Sequence, residues 1–433
     1  MLAYYFRLAL RSFGRNKILT ALMVLAIGLG IGAAMTTLTV FKVLSGDPIP
    51  TKSDRLFYVQ LDPGELSDYV EGEEPESQLT RFDARTLLAQ ARAPRQAMMA
   101  GGGDVVSAEG STLSPFLTRL RYTSADFFPM FEVPMVTGQA WTRDEDEGRA
   151  RVAVISRALS DKLFGTTDSV GRDIRVSGHS LRVVGVADDW SPQPRFYDVM
   201  AGIYGQDEEI WLPINTAFEL KLKRAGTMNC FRSEAITVPE AENAPCAWIQ
   251  YWVELDSPAD AADYKAYLDN YSEQQRAAGR FERPANTRLR NVMELMAHYD
   301  VVPGDVRLQM WLAFGFLLVC LVNTVGLLLA KFLRRSGEIG VRRALGASRA
   351  EIFKQCLVEA GTIGLAGGLV GLGLALLGLW AVRQRPTDYA ALAQLDVGML
   401  LLTFVLAVAA SLLAGVLPAW RAMRITPAIQ LKS

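Results

Sequence analysis

Four stretches of the chain carry no charged residue and are each long enough to cross a membrane as a helix. They are residues 18–41, 308–330, 360–382 and 397–420. A helix rises about 1.5 Å per residue, so about 20 residues cover the hydrocarbon core of a bilayer. Because helices buried in soluble proteins are shorter and carry a polar stripe, we interpret all four stretches as membrane spans.

The first stretch follows a basic segment, as the core of a cleaved signal peptide also would. Its apolar part is longer than the roughly 7–15 residues of a secretory signal, and only a weak cleavage site follows at residues 45–47. We therefore predict an uncleaved anchor. With flanking residues included, the predicted spans are residues 18–44, 306–333, 357–382 and 397–420.

The 45–305 segment between the first two spans mixes strand-like and helix-like patterns. Alternating apolar and polar positions, or runs of β-branched residues, predict strands over residues 55–61, 117–123, 151–155, 181–186 and 251–255. Helical spacing predicts helices over residues 82–91, 156–164 and 258–275. The predicted fold class is a membrane protein with four transmembrane α-helices and a large α+β extracytoplasmic domain of two subdomains between the first and second helices.

Charge is divided between two parts of the chain. Residues 1–45 and 306–433 hold 18 basic and 5 acidic residues, whereas residues 46–305 hold 27 basic and 41 acidic residues, so the net charge of −1 hides the division. Basic residues concentrate on the cytoplasmic side of membrane proteins. We therefore expect both termini and the 331–359 segment in the cytoplasm and the acidic domain outside. The near-neutral total argues against a nucleic-acid partner.

Three shorter segments complete the predicted topology. Residues 1–17 place Phe6 and Phe13 on one face of a helix and arginines on the other, which suits a helix on the cytoplasmic membrane surface. Residues 383–396 are predicted to form a short outer loop, and residues 421–433 a cytoplasmic tail.

The sequence holds no recognisable catalytic motif. The two histidines, His179 and His298, lack metal-ligand spacing, and no H-E-x-x-H, G-x-S-x-G, C-x-x-C or P-loop motif occurs. Residues 144–147 are acidic and Gly148 follows them, but the segment lacks the alternating spacing of a calcium loop. The three glycines at 101–103 favour a turn over a phosphate-binding loop. We therefore predict no catalytic, metal-binding or cofactor-binding residue in this chain.

Glycines recur inside the predicted spans. In the first span they imitate a dinucleotide-binding fingerprint, but small residues in membrane helices more often let two backbones approach closely. We expect close helix packing at Gly28, Gly30, Gly32, Gly364, Gly367, Gly368 and Gly371. Asn323 lies inside the second span and is expected to form an interhelical hydrogen bond, for example at a dimer interface. The charge-free stretches of the four spans hold no acidic residue, which argues against a proton- or sodium-coupled carrier.

Cys230 and Cys246 are the cysteines of the 45–305 segment, and prolines between them indicate a loop. An oxidising compartment permits a disulfide between them, which we favour; two free thiols are the alternative. Cys320 and Cys356 lie in or beside spans, and we expect them to be packing residues.

The 334–356 segment between the second and third spans carries more positive charge than topology requires. Its pattern predicts a short basic helix, a break at Gly346 and a new helix capped by Ser348, with Glu351 completing a capping box. We predict a surface on which a partner docks; a helix held to anionic lipids is the alternative. The predicted docking segment consists of Glu338, Ile339, Gly340, Val341, Arg342, Arg343, Ala344, Leu345, Gly346, Ala347 and Ser348.

The docking segment also carries a resemblance to a known family. Residues 338–347, Glu-Ile-Gly-Val-Arg-Arg-Ala-Leu-Gly-Ala, resemble the signature of the FtsX/MacB-like permeases of ABC transporters. Residues 418–422 and 425–428 are similar to that family's tail. Parts of the outer segment resemble the family's periplasmic core domain and follow its order, at residues 127–128, 133–134, 138, 152–156, 163–165, 171 and 183–186. The resemblance covers essentially the whole chain.

The resemblance implies a four-span permease in a bacterial inner membrane that dimerises with a second copy or a paralogue. It implies a porter-like periplasmic domain with a smaller inserted subdomain at about residues 125–215. Because the sequence lacks the ATPase domain that is fused to the macrolide exporter of this family, the resemblance implies a separate cytoplasmic ABC ATPase subunit. ATP and magnesium would bind to that partner, and this chain would hold no cofactor.

The family resemblance further implies mechanotransmission, in which ATP-driven closure of the ATPase moves the outer domains without a substrate pore. The expected use is efflux with a periplasmic adaptor and an outer-membrane channel. Lipoprotein extraction and regulation of cell-wall hydrolases are alternatives within the family, and a membrane-anchored sensor or enzyme is an alternative of another class. Replacing Arg342 and Arg343 with Glu is expected to abolish ATPase binding.

Overall fold

The structure is a computed structural model that describes residues 2–109, 113–205, 207–231, 238–384 and 395–424. The chain divides into two compact units, which we call the helical unit (Met1–Ser45 with Val302–Ser433) and the sheet unit (Gly46–Val301). Most of the predicted outer loop, and the predicted tail beyond residue 424, lie outside the described residues.

The helices differ widely in length. Their bounds are α1 (Leu2–Arg15), α2 (Lys17–Ser45), α3 (Arg81–Gln90), α4 (Phe127–Met130), α5 (Arg143–Glu147), α6 (Arg157–Phe164), α7 (Ile214–Glu219), α8 (Pro258–Ala277), α9 (Val292–His298), α10 (Gly304–Arg334), α11 (Ser336–Ala344), α12 (Arg349–Arg383) and α13 (Val397–Met423). Short 3₁₀ turns occur at Leu66–Asp68 and Phe196–Ala201.

Within the described ranges, four helices are long and apolar enough to cross a membrane: α2, α10, α12 and α13. They confirm the four expected spans, and the mixed α/β sheet unit between α2 and α10 confirms the predicted fold class. α12 begins at Arg349, directly after the predicted cap Ser348, and continues without interruption through the third predicted span. Ser348 and Glu351 form a capping box, which starts the helix inside the polar loop.

Glycines bring the spanning helices close together. A Cβ placed on Gly367 of α12 would lie 2.7 Å from Ile27 Cγ2 of α2, and one on Gly368 would lie 2.9 Å from the Ala407 Cβ of α13. Larger side chains at these positions would force the helices apart. The predicted role of these glycines in close packing is therefore confirmed.

The other residues in or beside the spans with a predicted role are two cysteines and one asparagine. Cys320 and Cys356 are free and buried, as expected of packing residues. Asn323 is exposed on α10. Among the described residues it has no hydrogen-bond partner on a neighbouring helix, so its interhelical hydrogen bond stays a prediction.

The strands belong to the sheet unit, and the five predicted strands correspond to the first, fourth, sixth, eighth and twelfth of them. Their bounds are β1 (Leu56–Gln60), β2 (Leu79–Thr80), β3 (Arg95–Ala108), β4 (Phe116–Thr123), β5 (Met135–Gly138), β6 (Val152–Ser156), β7 (Asp173–Val176), β8 (His179–Ala187), β9 (Ile210–Pro213), β10 (Arg224–Ala225), β11 (Asn229–Cys230), β12 (Cys246–Glu254) and β13 (Arg288–Asn291).

The strands pair into a mixed sheet whose order is β13-β1-β12-β3-β4-β9-β6-β8-β5. Off this path, β2 and β11 pair with β12, β10 pairs with β3, and β7 pairs with both β3 and β8. β4 and β9 run parallel, as do β6 and β8, whereas β3 pairs antiparallel with both of its neighbours β12 and β4. All nine residues of β12 are buried, as expected of a strand that is covered on both faces.

The two faces of the sheet build two separate cores, because successive side chains of a strand point to opposite faces. On β12, Tyr251 enters one core and Trp252 the other. Helices α3, α6 and α8 cover the Tyr251 face. Helices α4 and α9, together with the turn at Phe196–Ala201, cover the Trp252 face.

The three helices predicted in the sheet unit begin where polar side chains cap them. Thr80 accepts a hydrogen bond from the Asp83 amide at the start of α3, and Ser156 caps α6. Ser257 caps α8, and Pro258 occupies its first turn. Caps of this kind satisfy amides that have no partner inside the helix, which is why the sequence could locate these helix starts.

One expectation for the sheet unit is wrong. Residues 101–103, three glycines, lie inside the 14-residue strand β3 and not in a turn. A Cβ on Gly102 would collide with the ring of Tyr122 from the neighbouring strand β4. The missing side chain therefore makes room for that ring within a continuous strand.

The 125–215 segment contributes β5, β6, β7, β8 and β9 to the same sheet as the rest of the unit. The division of this unit into a porter-like and a smaller inserted subdomain stays a prediction.

Cys230 of β11 and Cys246 of β12 face each other in register and are joined by a disulfide. The bond links positions 16 residues apart, and residues 232–237 of the loop between them lie outside the described residues.

Candidate functional site

The predicted docking segment consists mostly of α11, between two spanning helices. Arg335 is the single residue between the end of α10 at Arg334 and the start of α11 at Ser336. At the other end of α11, Gly346 has a φ of +103°, which side chains rarely adopt, and Ser348 caps α12. The predicted short helix, the break at Gly346 and the capped second helix are therefore confirmed.

One face of the docking segment presents apolar side chains to the surroundings. Val341 and Leu345 are 53% and 83% exposed, and their spacing of four residues makes them neighbours on a helical face. We call Val341 and Leu345 the apolar pair. Ile339, by contrast, is buried in the core of the helical unit, so α11 is held on one face and exposed on the other. An exposed apolar pair at this position suits contact with a partner protein or with the membrane surface, which are the two alternatives for this segment.

The two arginines expected to contact a partner also make contacts within the helical unit. Arg342 donates hydrogen bonds to Glu338 Oε1 at 3.1 Å and to Gln355 Oε1 of α12 at 3.0 Å. Arg343 donates to the carbonyl oxygen of Met423 in α13 at 3.4 Å. Both arginine side chains are partly buried. Their contacts fix α11 to two spanning helices, and a role in docking stays a prediction.

Beside α11, the helical unit buries an ion pair between two spanning helices. Lys331 Nζ of α10 lies 2.8 Å from Glu359 Oε1 of α12, and the two side chains are 0% and 4% exposed. Arg335 Nη1 lies 3.1 Å from the other carboxylate oxygen, Glu359 Oε2. Arg335 Nη1 also donates to Glu359 Oε1 at 3.4 Å, so Oε1 has two cationic partners and Oε2 has one.

Two hydroxyl groups from the N-terminal helices complete the surroundings of this pair. Ser12 Oγ of α1 donates to Glu359 Oε1 at 2.5 Å and accepts from Arg335 Nη1 at 3.2 Å. Lys331 Nζ donates to Thr20 Oγ1 of α2 at 3.4 Å. The buried charges are thus hydrogen-bonded as well as paired, which the low polarity of the interior requires.

Further ion pairs, in which positive and negative side chains alternate, connect this buried pair to the docking segment. Arg335 Nη2 lies 3.2 Å from Glu338 Oε2, and Glu338 Oε1 lies 3.1 Å from Arg342 Nη2. We call Lys331, Glu359, Arg335, Glu338 and Arg342 the ion cluster. It connects α10, α11 and α12 in one continuous set of contacts.

The two central members of this cluster, Lys331 and Glu359, lie outside the docking segment predicted from the sequence. Lys331 directly follows the charge-free stretch 308–330, and Glu359 directly precedes the stretch 360–382. When two consecutive spans run antiparallel, charges that flank their inner ends lie at the same depth in the membrane. Opposite charges at both inner ends of two consecutive spans were therefore the available signal.

The sheet unit holds a second polar cluster, beside an open cavity of about 960 Å³. Buried Arg121 places Nη1 2.7 Å from Asp198 Oδ2 and also contacts Glu208, which accepts a hydrogen bond from Tyr197 Oη at 2.6 Å. Burial disfavours the charged form of Glu208, but Arg121 and Arg195 lower its pKa. The charges of this cluster compensate one another, so we interpret it as structural.

Both units match known protein families. Residues 20–271 match the MacB-like periplasmic core domain, and residues 310–427 match the FtsX-like permease C-terminal domain. The first match alone covers more than half of the chain.

Individual relatives are export proteins that combine ATP-binding and permease parts. The macrolide export ATP-binding/permease protein MacB of Pasteurella multocida is 25% identical over 305 residues, which cover 70% of this chain and 41% of that protein. The pyoverdine export ATP-binding/permease protein PvdT of Pseudomonas aeruginosa is 24% identical over 439 residues, which cover 99% and 58%. The chain thus spans about half the length of these curated relatives.

Among solved structures, the periplasmic region of MacB from Actinobacillus actinomycetemcomitans is similar to 61% of this chain over all of its own length, with 13% identity and a TM-score of 0.38.

Four helices long enough to cross a membrane, with a mixed α/β domain between the first and second, define the architecture, and the two family matches assign it to the class of ABC permeases. The chain belongs to the FtsX/MacB-like family of ABC transporter permeases. Its apolar helices and its periplasmic-type domain fit a protein of the bacterial inner membrane.

Proposed function

We propose that the chain is the permease subunit of an ABC transporter of the mechanotransmission type, and that its docking segment binds a separate cytoplasmic ATPase. The observation that carries this proposal is the apolar pair. Val341 and Leu345 are exposed on a helix whose opposite face is fixed by Ile339 and by the ion cluster. A partner that pushes on α11 would therefore act on the spanning helices.

The partner's contact surface follows from the chemistry of the docking segment. An apolar groove on the ATPase would receive Val341 and Leu345, and acidic groups at its edge would suit the surrounding arginines. In this proposal ATP and magnesium bind to the ATPase, and the support is that the relatives named above combine ATP-binding and permease parts. In this proposal the permease is a non-catalytic subunit and binds no cofactor.

The proposed topology follows from the charge distribution. Both termini and the docking segment would lie in the cytoplasm, because positive charge collects there, and the acidic sheet unit would lie in the periplasm. ATP-driven closure would then move the sheet unit without a substrate pore through the membrane.

The complete transporter would contain further subunits. We propose a dimer with a second copy or a paralogous permease, and efflux through a periplasmic adaptor and an outer-membrane channel. The support for efflux is that the relatives named above are export proteins.

The test compares ATPase binding by matched charge variants. Val341→Glu combined with Leu345→Glu is expected to remove ATPase from the complex purified from native membranes, because a carboxylate cannot enter an apolar groove without a large desolvation cost. The measurements are the P-loop subunit identified by mass spectrometry and vanadate-sensitive ATP hydrolysis by the complex.

Leu117→Glu is the control, since Leu117 is a 74% exposed leucine in β4 of the sheet unit. It is expected to leave ATPase binding unchanged. Full ATPase binding by the double glutamate variant would contradict the proposed docking site. If the wild-type complex contains no ATPase, the proposed function itself is wrong.

A further inference from the structure

The burial of Glu359 needs an explanation other than stability. Moving Lys331 and Glu359 out of water costs desolvation free energy, and apolar side chains of similar volume are often equally or more stabilising at such positions. Both side chains are nevertheless almost fully buried. A paired and hydrogen-bonded charge fixes the relative positions of its partners, because each hydrogen bond requires a particular distance and direction. The arrangement therefore points to a role in positioning.

Glu359 acts on the point where the chain passes from α10 into α11. Arg335 is the single residue between these helices, and its backbone is not helical, with φ −102° and ψ 12°. Its side chain lies between Glu359 on one side and Glu338 on the other. Ile339, Arg342 and Arg343 hold α11 further along its length. The contacts of Arg335 with Glu359 and Glu338 hold the junction itself, which is a single residue between a 31-residue helix and a nine-residue helix.

We propose that Glu359 is a positioning residue that fixes the orientation of α11, and with it the apolar pair, relative to α10 and α12. The proposal rests on the proposed function, because a fixed orientation matters only when a partner exerts force on α11. With Glu359 neutralised, the ATPase still binds the docking segment, but its movement bends the chain at Arg335 and does not reach the spans.

Spin-label mobility tests the orientation directly in the full-length chain in nanodiscs. Ala344 of α11 and Ala350 in the first turn of α12 are both exposed, and each can be replaced by a labelled cysteine. The native thiols do not interfere, because Cys320 and Cys356 are buried and the other two cysteines are bonded. Glu359→Gln is expected to mobilise the label at 344 and to leave the label at 350 ordered. If the mobility of the label at 344 is unchanged, or if mobility rises equally at both positions, the proposal is overturned.

A double variant separates positioning from stability. Glu359→Gln alone leaves Lys331 buried without its carboxylate, which destabilises the fold. Lys331→Met combined with Glu359→Gln removes both charges, so the thermal unfolding temperature is expected to return to the wild-type range. The label at 344 is expected to remain mobile, because the glutamine at position 359 offers Arg335 one neutral amide oxygen in place of a charged carboxylate. Restored order at 344 would show that Glu359 acts only through stability and would overturn the proposal.

The final measurement concerns transmission in the complex with the ATPase. A label at position 377, near the other end of α12, is expected to change its mobility when ATP and vanadate are added to the wild-type complex. The double variant is expected to bind the ATPase fully. Its change in label mobility at position 377 is expected to be smaller than that of the wild type by about fivefold or more. Weakened ATPase binding would place the defect in docking and contradict the proposal. If no ATPase binds the wild-type chain, the proposed function fails, whereas the label at 344 still decides whether Glu359 orients α11.

Discussion

Gly364 of α12 lies directly against Ser411 of α13, so that a Cβ at position 364 would overlap the Ser411 hydroxyl. The same Cβ would lie 2.8 Å from the carbonyl oxygen of Ala407, a backbone atom that cannot rotate away. A larger residue at this position must therefore separate the two helices. Gly373 lies on the same helix but is exposed, and a Cβ there would meet nothing within 4 Å.

The first prediction compares these two glycines. Gly364→Leu is expected to destabilise the helical unit by about 1–3 kcal/mol or more, the usual cost of overpacking. Gly373→Leu is expected to behave like the wild type. The yield of monodisperse protein in detergent and its melting temperature are the measurements. Equal losses in both variants would show that leucine harms α12 wherever it is placed, contrary to the packing argument.

The second prediction concerns the disulfide between Cys230 and Cys246. A cross-link that closes a loop of this size lowers the entropy of the unfolded chain and stabilises the fold by about 3 kcal/mol. A reductant is therefore expected to lower the unfolding midpoint of the wild-type chain in urea. Cys230→Ser serves as the control: it should lower the midpoint by itself, and the reductant should then have no further effect. A wild-type midpoint that does not respond to reductant would argue against a bond in the native protein.

The third prediction follows from Asp146, which is buried in α5 and accepts a hydrogen bond from the Asn215 side-chain amide at 3.2 Å. Burial raises the pKa of Asp146 to about 7, and the bonds from Asn215 offset this only in part. Between about pH 4 and pH 7 the folded state keeps a proton that the unfolded chain has released. The contribution of this group to stability therefore falls as the pH rises, and the loss is complete above pH 7.

Asp146→Asn removes this penalty, because an amide carries no charge and keeps the accepting oxygen. The variant is expected to be more stable than the wild type at pH 8, by about 2–4 kcal/mol. The difference in stability between the variant and the wild type should shrink as the pH is lowered towards about 4. Thermal unfolding at several pH values measures it, and Asp144→Asn on the exposed side of the same helix should show no such trend. A pH-independent difference would refute the assignment of the raised pKa.

Features that depend on short stretches of sequence were predictable. The spans required only charge-free runs of sufficient length. The start of α12 required only Ser348 and Glu351, since a capping box is local, and the break before it required only Gly346. The strand β3 was not predictable in this way, because the side chain that fills the space at Gly102 is Tyr122, which comes from another strand.

The candidate site was predictable in its location but not in its contacts. The sequence pointed to residues 338–348, yet α11 is short and polar on several sides, so its pattern did not show which face is buried. Arg342 and Arg343 make internal contacts, and replacing both with Glu would disturb the ion cluster as well as any docking. Changes to Val341 and Leu345 therefore test docking more cleanly. The positions of Lys331 and Glu359 at the inner ends of two consecutive spans were readable from the sequence, but their contacts with Arg335 and Ser12 depend on how α10, α12 and α1 pack.

α12 is one uninterrupted helix of 35 residues that contains no proline, whereas α13 contains Pro418. α12 is about 52 Å long, whereas the hydrocarbon core of a bilayer is about 30 Å thick. About 20 Å of a single stiff rod therefore projects beyond the hydrocarbon. A tilt of about 10° around the midpoint of this rod displaces each end by about 4–5 Å, close to the pitch of one helical turn. α12 has the dimensions of a lever, and Glu359 is attached near the end of it that the docking segment would move.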